Sequence, residues 1–88
     1  MDILKRASAG TMESSDAYVE ISPADCLNLE IESVVKVQFG EEIEKAAREV
    51  LAECGISKAN VRVVDRGALE CVIRARVETA VLRGGGKK

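Results

Sequence analysis

The sequence predicts a small α+β domain of two layers, an antiparallel sheet in the order β-β-α-β-β with one long helix packed on one face. Short segments in which apolar and polar residues alternate lie on both sides of a single segment with helical periodicity. The chain has 88 residues, which suffices for one domain with a modest core. Its 47% hydrophobic and 32% charged residues are typical of a globular protein. We therefore expect a single folded body over residues 17–83.

Two strands are predicted in the first half of the chain. Every second residue is apolar in residues 17–21, AYVEI, and again in residues 27–33, LNLEIES, so each segment has one apolar face. Pro23 and Asp25 lie between them and favour a turn, because proline cannot donate to a strand ladder and aspartate bonds to nearby backbone. Two strands with so short a connection predict a hairpin.

The strongest pattern in the chain predicts a helix over residues 39–54. Its apolar residues follow the three- and four-residue spacing of one helix face. They are Ile43, Ala46, Ala47, Val50, Leu51 and Cys54. Three glutamates crowd the first turns, where the helix dipole favours negative charge. Gly55 follows the last residue of the stripe, as is typical of the left-handed residue that ends a helix.

The last third of the chain contains a valine-rich strand at residues 60–65 and a segment that supports two interpretations. The turn signal Asp-Arg-Gly separates them. Residues 68–83 alternate like a strand but also nearly match a helix stripe, with glutamate and arginine four residues apart. We favour a strand to about Arg74 that turns into a short helix ending near Arg83. The glycine-rich residues 84–88 are expected to form a disordered tail.

Composition excludes several classes of function. A net charge of −2, with one Tyr, one Phe and no Trp, argues against nucleic acid as a partner. No apolar run approaches the roughly 20 residues that span a bilayer, so no membrane association is expected. Three cysteines and no histidine argue against a disulfide framework, a metal site and acid–base catalysis. Reduced thiols are typical of the cytoplasm, and we expect a binding, carrier or regulatory module there.

The three cysteines have no evident chemical role. Cys54 and Cys71 fall within apolar patterns and are predicted to lie in the core. Cys26 lies near a turn and is predicted to be exposed, with no neighbouring group that would activate its thiol.

Residues 1–16 are predicted to form a flexible arm, because they lack sustained periodicity and include the small and polar stretch AGTMESSD. A serine hydroxyl on such an arm can enter another protein's active site and be esterified or phosphorylated. Glu13 and Asp16 flank Ser14 and Ser15 and offer a basic partner an electrostatic contact. Composition alone favours the plainer interpretation that these serines are turn or cap residues without chemistry.

Three segments resemble the acyl carrier subunit (gamma chain) of citrate lyase. The first is AGTMESSD, followed by an alternating strand and Pro23; the second is VKVQFGEEI at residues 35–43; the third is VDRGALECVIRARVETA at residues 64–80. They occur in the family's order and together cover most of the chain, although each motif alone has low specificity. The Asp-Ser-Leu motif of four-helix acyl carrier proteins is absent.

This resemblance implies a non-catalytic subunit that holds acetyl and citryl thioesters on a covalently attached 2'-(5''-phosphoribosyl)-3'-dephospho-CoA. The family's attachment serine follows an acid and lies two residues before an aspartate, which maps onto Ser14 as the cofactor-binding residue. Ser15, where some relatives have glycine, leaves a second hydroxyl as an alternative. The implied partners are the citrate lyase alpha and beta subunits and a prosthetic-group transferase. The alternatives are the carrier subunit of a related complex, such as malonate decarboxylase, and an unmodified adaptor that binds through a sheet edge.

Arg66, Arg74 and Arg76 form a basic cluster around the predicted last strand. Guanidinium groups bind phosphate, so the cluster is a candidate contact for the phosphates of the prosthetic group or for an acidic partner subunit. The alternative is a solvated face with charge pairs four residues apart.

Overall fold

The computed structural model describes residues 3–33 and 36–85 and, apart from residues 36–40, their side chains. It confirms the α+β class. Six elements follow one another along the chain: β1 (Ala7–Gly10), β2 (Ala17–Pro23), β3 (Leu27–Ser33), α1 (Lys36–Glu53), β4 (Ala59–Asp65) and α2 (Glu70–Gly84).

The sheet is mixed rather than antiparallel, with the strand order β1-β2-β4-β3. β2 runs antiparallel to both β1 and β4, whereas β3 runs parallel to β4. The predicted hairpin of β2 and β3 is therefore wrong, because β4 lies between them. β4 suits the centre, since Val61 and Val63 are buried and each faces an apolar residue in both neighbouring strands. Alternation along β2 and β3 sets their faces but not their partners.

Both helices pack on one face of the sheet and share a single core with it. The largest fully buried apolar side chains are Ile21, Leu51, Val19, Val63, Val77 and Val81. The opposite face of the sheet is polar. There Arg62 of β4 forms ion pairs with Glu20 of β2 at 3.7 Å and with Glu32 of β3 at 3.1 Å. The fold thus has one helical layer and one layer of strands.

The helix predicted over residues 39–54 is confirmed, with an earlier start, because α1 begins at Lys36 and ends at Glu53. The predicted apolar stripe is buried except for Cys54, which is half-buried. Gly55 has a φ of 74° and donates its N–H to the carbonyl of Ala52 at 3.0 Å. It is the left-handed residue that the sequence predicts after this helix.

A single continuous helix, α2, occupies the segment that the sequence divides between a strand and a short helix. The predicted strand to about Arg74 is therefore wrong. The helical stripe prevails because its residues fit the core: the buried residues of α2 are Ile73, Val77, Ala80, Val81 and Gly84. Cys71 and Ala75, which a strand would bury, are exposed.

Residues 3–10 are packed, which corrects the predicted flexible arm over residues 1–16. All four residues of β1 pair with β2. Ile3 is 5% exposed, and the backbone just after it donates two hydrogen bonds to the carbonyl of Gly84, at 2.9 and 3.1 Å. Residues 4 and 5 are thus tied to the end of α2, and residues 11–16 are the part of the predicted arm that connects the two paired strands.

The end of the described chain is packed as well. Gly84 and Gly85 are buried, and a Cβ on Gly84 would lie 3.1 Å from the side chain of Ile21. The predicted tail over residues 84–88 is therefore wrong for these two glycines, and residues 86–88 lie outside the described residues. Neither helix in the described part of the chain is long and apolar enough to cross a membrane.

Candidate functional site

The candidate site is the serine loop, residues 11–16, which connects β1 to β2. Its residues from Thr11 to Ser15 are exposed. Asp16 donates its N–H to the carbonyl of Glu13 at 3.2 Å, so Ser14 and Ser15 are the central residues of a turn. Both predicted hydroxyls therefore lie where an external enzyme can reach them.

Ser15 has a φ of 65°, a left-handed conformation that glycine adopts at lower cost than serine. Its N–H donates to the carbonyl of Arg66 at 2.8 Å, and the N–H of Arg66 donates to the carbonyl of Asp16 at 2.9 Å. These two bonds extend the pairing of β2 with β4 beyond the ends of both strands. They join the serine loop to the loop that precedes α2.

Gly10 makes the turn out of β1 possible. Its φ is 92°, and a Cβ at this position would lie 1.8 Å from the carbonyl oxygen of Ala17. No real Cβ contact is so short, so only glycine allows β1 and β2 to approach each other at the base of the loop.

A carboxylate clamp holds the other end of the serine loop. Asp16 accepts hydrogen bonds from the hydroxyl of Thr11 at 2.7 Å, from the N–H of Ala17 at 2.7 Å and from Nε of Arg76 at 3.0 Å. The Arg76 bond, followed by those from Thr11 and Ala17, lowers the pKa of Asp16 to about 2. Arg76 belongs to α2, so this charge pair fixes the loop to the helical layer.

The three arginines of the predicted cluster are not brought together. Arg74 binds Glu70 at 2.9 Å and also pairs with Glu49 of α1, which confirms the alternative of charge pairs four residues apart, although on a helix. This pairing lowers the pKa of Glu49 and raises that of Arg74. Arg76 and Arg66, in contrast, both border the serine loop.

Arg66 differs from the other two arginines because it forms no ion pair with any described residue. It is exposed. Its main chain bonds to Ser15 and Asp16, so Arg66 is attached to the serine loop through its backbone.

The cysteines lie apart from this site. Cys26 is exposed, as predicted, and Cys54 is half-buried, with burial and then the carboxylates of Glu78 and Glu53 raising the pKa of its thiol. The predicted core position of Cys71 is wrong, because its segment is a helix that turns this residue outward. The described residues contain no cluster of side chains able to hold a metal ion.

Sequence reasoning missed the buried carboxylate of Asp65. This side chain is 1% exposed and accepts hydrogen bonds from the hydroxyl of Ser33 at 2.8 Å and from the N–H groups of Gly67 and Ala68 at 3.2 and 2.8 Å. It fixes the loop between β4 and α2, against which Ser15 is held. The signal was the Asp-Arg-Gly turn, in which an aspartate bonds to the backbone two residues on.

Comparison with known proteins identifies acyl carrier proteins of two kinds of complex. A family model described as "ACP: Malonate decarboxylase delta subunit (MdcD)" matches residues 4–84. A relative from Escherichia fergusonii, named citrate lyase acyl carrier protein, is 56% identical over 85 residues, which cover 94% of this chain and 88% of the relative. Relatives of the same name from Haemophilus influenzae (strain PittEE) and Klebsiella pneumoniae are 57% and 55% identical, each over 94% of this chain and over 87% and 88% of their own lengths.

A solved structure shares the fold. It is a chain of a Pseudomonas malonate decarboxylase hetero-tetramer in complex with malonate, with a TM-score of 0.79 and 19% sequence identity. The match covers 97% of this chain and 93% of that chain. At this identity the likeness concerns the arrangement of helices and strands and nothing more.

Proposed function

The chain belongs to the family of citrate lyase acyl carrier proteins, and from this premise we propose that it is the carrier subunit of a citrate lyase complex, with Ser14 as the attachment residue for a prosthetic arm. One observation carries the proposal. Ser14 is an exposed primary alcohol in a turn that a charge pair and backbone hydrogen bonds fix to the folded body. A modifying enzyme can reach such a hydroxyl, and an attached arm would start from a defined position.

Two features favour Ser14 over Ser15. The N–H of Ser15 is bonded to Arg66, and its left-handed backbone is the conformation in which glycine is preferred. Ser15 therefore has a backbone role that needs no hydroxyl. This agrees with the motif, in which the attachment serine follows an acid and lies two residues before an aspartate.

The residues around the serine loop fit the proposed group, 2'-(5''-phosphoribosyl)-3'-dephospho-CoA. A phosphodiester at Ser14 would be an anion, and Arg66, whose backbone is bonded to the serine loop and whose guanidinium forms no ion pair with a described residue, is a candidate to bind it. Arg76, whose side chain is 38% exposed, offers a second donor. The group, when attached, supplies a thiol on which acetyl or citryl is carried as a thioester.

In this proposal the chain holds and presents the acyl group, while the alpha and beta subunits perform the chemistry in the cytoplasm. Tethering raises the effective concentration of the thioester at both active sites. Two carboxylates near the serine loop are already engaged, because Asp65 is satisfied by three hydrogen bonds and Asp16 is held in its clamp. Neither is free to act as a base.

Intact mass after co-expression with the modifying transferase tests the proposal. The wild-type chain should gain the mass of one prosthetic group, and Ser14→Ala should gain none. Ser15→Gly is the matched control, because it removes the second hydroxyl and keeps the left-handed backbone; it should be modified like the wild type. A mass gain that survives Ser14→Ala and is lost in Ser15→Gly would overturn the assignment.

The second candidate is the carrier subunit of a malonate decarboxylase type of complex. The match of residues 4–84 to a family model described as a malonate decarboxylase subunit favours it. The acyl group separates the two candidates. Loaded chain should accept acetyl or citryl groups from a citrate lyase alpha subunit, whereas the second candidate requires that it accept malonyl groups and no citryl groups.

A further inference from the structure

A cleft of about 290 Å³ lies between α1 and the start of α2. Ile43 and Ala46 of α1 form one wall, and Ala68, Leu69 and Ile73 form the other. Leu69 is 71% exposed, the largest exposed fraction of any large apolar side chain in the described chain. A mostly apolar cleft of this size matches the lower range of small-molecule sites.

Both the cleft and the serine loop contact the loop between β4 and α2. Gly67, in the loop between β4 and α2, would bring a Cβ to 4.0 Å from the backbone nitrogen of Ser15. The next two residues, Ala68 and Leu69, line the cleft. A prosthetic arm anchored at Ser14 would therefore start beside the same loop that carries Ala68 and Leu69 into the cleft.

The charged residues that line the cleft determine which part of the prosthetic arm can enter it. Glu42, Glu70 and Asp65 line it, and no lysine or arginine is among its described lining residues. These carboxylates repel the phosphates of the arm. Asp65 and Glu70 already bind other groups, which leaves Glu42 to accept a hydrogen bond from an amino group. The exocyclic amine of adenine is such a donor, on a flat ring with apolar faces.

Resting on the proposed attachment at Ser14, we propose that this cleft binds the adenine ring of the arm. Adenosine lies between the anchoring phosphoribosyl group and the pantetheine portion, so it is the rigid part nearest to the protein. Docking a rigid ring loses less conformational entropy than docking a flexible chain. The bound adenine would fix the root of the arm and leave the thiol end free to travel between subunits.

Nuclear magnetic resonance of the loaded chain tests the proposal without a measurement of activity. Intact mass first establishes that one group is attached at Ser14. We then expect nuclear Overhauser effects from the adenine H2 and H8 protons to the methyl groups of Ile43, Leu69 and Ile73. Loading should also shift these methyl resonances relative to the unloaded chain.

Leu69→Ala and Leu4→Ala form a matched pair of variants, because both leucines are about 70% exposed and only Leu69 lines the cleft. Leu69→Ala should lower the ratio of docked to undocked adenine roughly fivefold. Leu4→Ala should leave that ratio unchanged.

Three outcomes would overturn the adenine site while leaving attachment at Ser14 intact. The loaded chain could show unshifted cleft methyl groups, Overhauser effects from the pantetheine methyl groups in place of adenine, or cleft shifts only on addition of a partner subunit. A chain that gains no mass at Ser14 instead contradicts the proposed function itself.

Discussion

Residues 3–10 and the serine loop are neighbours in the chain but are held by different forces. Apolar burial of Ile3 and the pairing of residues 7–10 with β2 fix the first segment. The serine loop buries little, and a carboxylate clamp and the left-handed backbone of Ser15 set its shape. The first segment therefore contributes to the stability of the fold, whereas the loop presents the serines. The loop can be altered chemically while the body stays folded. The four predictions that follow test this division, from the largest expected effect to the smallest.

Gly10→Val should have the largest effect, because it places atoms where the carbonyl of Ala17 lies and forces a β-branched residue to a φ of 92°. We expect a loss of about 3 kcal/mol in the free energy of unfolding, measured by urea denaturation. Gly67→Val is the matched control. Gly67 has nearly the same φ, 93°, but its Cβ would meet only one atom, at 4.0 Å, so the backbone strain alone should cost about 1–2 kcal/mol. Equal losses in the two variants would show that the close approach of β1 and β2 is not what requires glycine.

Ile3→Ala should lower the free energy of unfolding by about 2 kcal/mol, because it removes a buried side chain that ties the start of the chain to the core. Leu4→Ala should change it by less than about 0.5 kcal/mol, since Leu4 is 69% exposed. Thermal denaturation of both variants measures the difference. If the two variants melt alike, residues 3–10 are not anchored by burial.

Asp16→Asn should weaken the serine loop and change how stability depends on pH. The folded-state pKa of Asp16 is about 2, below the usual value of 3.8, so its contribution is present above about pH 4 and is lost as pH falls toward 2. Wild type should therefore melt higher than Asp16→Asn near neutral pH, and the two melting temperatures should converge by pH 2. Strong salt should reduce the difference, because the partly exposed pair is screened. A difference that is constant from pH 2 to pH 6 would rule out the charge as its cause.

Ser15→Gly should have the smallest effect and should stabilise the chain by about 0.5 kcal/mol. Glycine relieves the left-handed strain at a φ of 65°, and the greater flexibility of the unfolded chain offsets part of this gain. Differential scanning calorimetry measures the change. Ser14→Gly is the control and should destabilise the chain slightly, since Ser14 has no positive φ to relieve.

The sequence predicts those elements whose pattern is local. The alternation of β2 and β3, the valine-rich composition of β4 and the apolar stripe of α1 give the positions of these elements to within a few residues, because each of these signals is local. The segment that forms α2 is predicted wrongly, because residues 68–83 fit both the period of a strand and the period of a helix. Only the shape of the core decides between the two. The insertion of β4 between β2 and β3 follows from long-range packing, which alternation does not encode.

In the candidate site, too, some features have a local signal in the sequence and others depend on long-range contacts. The exposed serines follow from the small and polar residues around them, and these are visible in the sequence. The clamp joins Asp16 to Arg76, which are 60 residues apart, and such a contact has no local signal. The packing of residues 3–10 is equally hidden, since it depends on the far end of α2 and on one buried isoleucine.

Fragmentation mass spectrometry of the chain purified from its native host tests the central claim most directly. The peptide that contains both serines should carry one phosphoribosyl-dephospho-CoA group, and the fragment ions should assign it to the hydroxyl of Ser14. An unmodified peptide from a chain assembled in an active complex would contradict the account, as would a group assigned to Ser15.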